Sequence, residues 1–177
     1  MNPKKYLLVV LLLALLSCTG DPDLDQPRSE DFGYRPVYGS SESAQIAWTS
    51  PQSIASPGKI YVYGKYLLVN EAREGIHVFD NSNPQFPIAL GFLRIIGNSD
   101  MAIKDNILYA DYMGNLVALT IDDFTNVQQK GKLELANWEK GVPPPVGYRF
   151  ECADPAMGIV VAWKKVKNEN LKCYAIR

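Results

Sequence analysis

Between residues 57 and 135 the apolar positions come in short runs that alternate with polar ones and are broken at close intervals by Gly, Asn, Asp or Pro. Alternation with a period of two places side chains on opposite faces of a strand, and these runs are too short for helices. The pattern also repeats. Residues 60–70 lie over residues 101–111, shifted by about forty-one, with apolar positions coinciding. Residues 75–80 match residues 115–120, and residues 88–93 match residues 127–133 more loosely. Gly64-Lys65 and Asp105-Asn106 fall where tight hairpin turns belong.

Each unit therefore holds four short β-rich runs, and four antiparallel strands in about forty residues is the format of a propeller blade. Two repeats are predicted, about 59–97 and 98–135. Closing a ring takes at least four such blades, about 160 residues, more than the roughly 145 of residues 34–177. The expected fold is all-β: partial, propeller-like blades of four antiparallel strands in a ring that does not close. Residues 33–58 supply one or two further strands. After Pro143-Pro144-Pro145, residues 146–177 form a C-terminal β segment with three strands at about 148–152, 159–165 and 171–176. Strand edges left open by such an arc invite pairing with another part of the chain or another copy.

The run Leu67-Leu68-Val69, followed by Gly75-Ile76-His77-Val78-Phe79-Asp80-Asn81-Ser82-Asn83-Pro84, resembles the LVIVD-repeat β-propeller family of bacterial lipoproteins. The resemblance covers about residues 59–135 and implies a fold and a compartment, without catalytic residues. The second copy has Thr120 where the family usually has Asp and Phe124 in place of Pro84, so its terminal turn is expected to be built differently.

The N-terminus agrees with that compartment. Lys4 and Lys5 precede the apolar run 6–16, which is shorter than the roughly 20 residues needed to span a bilayer, so residues 1–17 read as an export signal. Leu15-Leu16-Ser17-Cys18 looks like a lipobox, which makes Cys18 the lipidation site and the membrane a partner through a lipid anchor. Residues 18–33, rich in Asp and Glu and poor in apolar side chains, read as a flexible acidic tether. Acidic residues after the lipidated cysteine resemble surface-export signals of Bacteroidota lipoproteins. Asp21, Asp23 and Asp25 have the spacing that opens a calcium loop, but Phe32 stands where its closing Glu belongs.

Composition then narrows the function classes. Eighteen basic residues against nineteen acidic ones leave no electrostatic footprint for nucleic acid. With a single histidine, His77, no multi-histidine metal site can be built, and no metal or cofactor is expected. His77 should point opposite to Ile76 and Val78, toward the solvated or inter-blade face, in a structural role. Asp100 and Asp111 could face each other as glycosidase carboxylates do, although turn and capping chemistry explains them more simply, as it does Asp122-Asp123. Tyr61 and Tyr63 share a strand face and, with Tyr66, Tyr109 and Tyr112, could form an aromatic platform for a sugar. Cross-strand packing explains the same tyrosines, and Trp48, Trp138 and Trp163 are similarly open to both readings. Cys152 and Cys173 form an even pair in an exported chain and are expected to be disulfide-bonded. The reading is a non-catalytic, lipid-anchored module of the bacterial outer membrane that binds a protein partner, with glycan binding or processing as the alternative.

Overall fold

The computed structural model describes residues 31–135 and 138–175. Cys18, the export signal and all but the last residues of the expected tether lie outside the described residues. In chain order the strands are β1 (Phe32–Gly39), β2 (Ala47–Thr49), β3 (Pro57–Tyr63), β4 (Tyr66–Glu71), β5 (Gly75–Asp80), β6 (Ile88–Arg94), β7 (Met101–Lys104), β8 (Ile107–Tyr112), β9 (Asn115–Thr120), β10 (Gln128–Leu133), β11 (Arg149–Phe150), β12 (Ile159–Lys167) and β13 (Cys173–Tyr174). A single helical turn, α1 (Ser41–Ala44), joins β1 to β2.

The strands form three sheets and the fold is all-β, with no sheet closed into a barrel. Strands β3 to β6 are a four-stranded antiparallel blade, extended at its outer edge by β2. Strands β7 to β10 are the second blade. In the third sheet β1 lies between β12 and β11, antiparallel to the first and parallel to the second. The two regions flanking the repeats thus build one sheet together, and β1 starts at Phe32, inside the span read as tether.

Local chemistry explains the slip in the repeat from forty-one residues to forty. Both first hairpins turn in two residues, with Gly64 at φ 56° in one and Asp105 and Asn106 at 51° and 60° in the other. The second hairpins differ. The first blade uses three residues, Ala72, Arg73 and Glu74, whereas the second uses Met113-Gly114. The terminal turns also differ, as the substitution of Phe124 for Pro84 suggests. Asp80 accepts from the Ser82 N–H in the first blade. In the second, Asp123 accepts from the Thr125 N–H and caps a short 3-10 turn, which buries Phe124.

One core joins the blades. Leu68, Ile76, Val78 and Leu93 of the first meet Met101, Ile103, Leu108, Val117 and Leu119 of the second. Phe124 plugs its rim, edge-on to Tyr66 at 5.0 Å and near Trp48 at 6.3 Å. Trp48 reaches this core because Gly91 has no side chain: a Cβ there would lie 2.2 Å from the indole Cζ2 and 2.8 Å from the Thr49 carbonyl. Gly91→Ala should accordingly lower stability by about 1–3 kcal/mol, the usual cost of overpacking, read as a shifted denaturant midpoint. An unchanged midpoint would show that β2 adjusts freely.

Candidate functional site

The three-residue turn after β4 puts Glu71 two residues beyond Val69, which opposes His77 on β5. Glu71 and His77 therefore share one face of the first blade, the face away from the second blade, and both are buried. His77 Nε2 lies 2.9 Å from Glu71 Oε2. An ionised carboxylate only accepts, so the ring donates here. The same carboxylate accepts from the Ala55 N–H at 3.0 Å and from the Ser56 N–H. Burial pushes the Glu71 carboxyl upward, but these hydrogen bonds outweigh it and hold the group below its ordinary value of 4.5. Residues 50–56 are thereby fastened across the blade from its outer edge to its inner one. His77 is neither solvated nor inter-blade as the alternation suggests; it lies beneath this strap, with Phe92 packed on its ring at 4.8 Å.

Phe92 also lines a cleft of about 770 Å³ between the first blade and the terminal sheet. Its walls carry Gln52, Arg73, Glu74 and Arg94 from the blade side and Val161 and Ala162 from β12. Arg94 is held by the carbonyls of Gln45 and Glu42, at 3.3 and 3.2 Å. An aromatic floor with a rim of both charges and an amide can bind a polar ligand. Glu74 is the carboxylate on that rim, whereas the Glu71 oxygens are engaged behind the floor.

The other carboxylates are occupied locally. Asp100 accepts from Lys59 Nζ at 2.9 Å and from the Met101 N–H at 2.7 Å, and the bond from Lys59 above all holds its carboxyl below the usual range. Asp111 accepts from Ser99 Oγ. Asp100 does the capping work that was the simpler expectation, whereas Asp111 lies within β8 and holds a neighbouring side chain, and no group of three metal-ligating side chains occurs among the described residues.

The tyrosines do not assemble into one platform. Tyr61, Tyr63, Tyr66 and Tyr112 are partly buried against the inter-blade core. The Tyr61 hydroxyl donates to the Ile103 carbonyl at 3.4 Å, that of Tyr63 meets Asn106 Oδ1, and that of Tyr112 donates to the Ala44 carbonyl at 2.9 Å. Burial raises the Tyr112 phenol above its ordinary value. Tyr109 alone is exposed, on the opposite face of the second blade. Trp138 and Trp163 pack with Phe150 in the terminal sheet. Cys152 and Cys173 are disulfide-bonded, with Cα atoms 5.2 Å apart; Cys173 is the β13 partner of Phe150, and Cys152 lies just beyond β11.

No protein-family model matches the chain, and no curated protein or solved structure is significantly similar to it.

Proposed function

We propose that the chain is a lipid-anchored module of the bacterial outer membrane, related to the LVIVD-repeat propellers, that binds a protein partner and carries out no chemistry. The observation that carries this reading is an open apolar face on the first blade, where Ile60 and Val62 are 64% and 59% exposed. Large apolar side chains grouped on one sheet face mark an interaction site. A photo-crosslinking residue at position 62 in intact cells should capture a protein, and one at Lys164, on the exposed side of β12, should not. No adduct from position 62 would sink the interaction reading.

The anchor is tested separately. Cys18→Ala should move the protein from the membrane fraction to the soluble one and abolish uptake of labelled fatty acid; retention in membranes would remove the lipid anchor from the proposal.

A second reading, glycan binding, is favoured by the cleft that joins Phe92 to Gln52, Arg73, Glu74 and Arg94. A glycan array should then give a signal that Phe92→Ala removes.

A further inference from the structure

The repeat gives each blade a version of the same two faces. The face that the second blade turns to the core holds Met101, Ile103, Leu108, Ala110, Val117 and Leu119, all buried. Its counterpart on the first blade, read through the repeat, holds Ile60, Val62, Leu67, Val69, His77 and Phe79. The opposite half of the interface is Leu68, Ile76, Val78 and Leu93 of the first blade. Its counterpart on the second blade is Tyr109, Leu116, Ala118 and Leu133, with Tyr109 37% and Leu133 57% exposed. The blade pair thus ends, on its two outer sides, in the two halves of the contact that joins it in the middle.

The strap 50–56 covers part of the first of these faces, over His77 and Glu71. The part facing away from it has Ile60 and Val62 exposed, with Leu67 and Phe79 half-buried beside them in adjacent cross-strand positions. The terminal sheet meets the blades elsewhere, where Val142 approaches Gly97 and β12 lines the cleft beside Arg94.

We infer that the occupant of these faces is a second copy of this chain, bound head to tail: the Tyr109 face of one copy lies against the Val62 face of the next. This rests on the interaction reading above and names its partner. Unlike a two-fold contact, the two patches are different, so each copy keeps one free patch unless the assembly closes. The strap limits the contact to part of a blade face, which places it in the size class of transient interfaces, below about 1,200 Å².

Photo-crosslinking in intact cells separates the possibilities. With the probe at position 62, the expected adduct has twice the mass of the chain, and mass spectrometry should map its far end to residues 107–120 or 128–133. With the probe at position 109 the far end should map to residues 60–69. Tyr109→Lys, a change at an exposed position, should reduce the adduct from position 62 at least tenfold. An adduct to a different protein, or to the Val62 face of another copy, overturns the head-to-tail pairing and leaves the interaction reading in place. No adduct from either position overturns both.

Discussion

Glu71→Gln is expected to destabilise the fold by about 3 kcal/mol, within the range for removing one partner of a buried, hydrogen-bonded charge. The shape is conserved, so packing is not what changes. The Glu71 oxygens receive three hydrogens, from Ala55, Ser56 and His77. A glutamine offers one acceptor and one donor group, so however it is oriented at least one part-buried N–H of the strap faces another N–H. Equilibrium denaturation measures the loss, and faster proteolysis within residues 50–56 would localise it.

The same carboxylate sets an acid limit. Its folded value lies below its ordinary 4.5, so its stabilisation is fully present above that value and is lost as pH falls through the depressed one. The parent should therefore lose stability more steeply than Glu71→Gln below pH 4.5. Parallel pH profiles for the two proteins would show that Glu71 does not pin the strap.

Reducing the bond between Cys152 and Cys173 is the second large effect. The cysteines are 21 positions apart, and releasing a loop of that size costs roughly 3 kcal/mol by the chain-entropy estimate. The loss should be local. β11 and β13 are two residues each, and the bond acts with the packing of Phe150 on Trp138 and Trp163 to hold that edge of the terminal sheet, whereas the blades share their own core. Trp138 and Trp163 report on this sheet and Trp48 on the blades. With Trp48 replaced by Phe, reductant should shift the fluorescence melt downward; an unshifted melt would show that the bond bears no strain of unfolding.

The blades were legible because their information is local. Alternation marks each strand, Gly64 and Asp105-Asn106 mark the turns, and the repeat confirms both. Phe124 in place of Pro84 even announced the altered terminal turn. What stayed hidden depends on distance. Alternation shows that Tyr61 and Tyr63 share a face, but not that the next blade covers it. The Glu71–His77 pair follows from strand register once the turn at residues 72–74 is known to have three residues, and one extra turn residue has no strong sequence mark. Nothing near Phe32 or Lys167 indicates that they pair across almost the whole chain.

That last pairing also sets an order of events. β1 emerges from synthesis before either of its neighbours, and its hydrogen-bonding edges stay vacant until β11 and β12 have followed. Loop closure over such a span is slow, while the hairpins of the two blades close locally. The blades can therefore mature first, with an unpaired, aromatic-bearing strand waiting beside them. During that interval β1 is exposed to wrong pairing, and a chaperone would have reason to hold it.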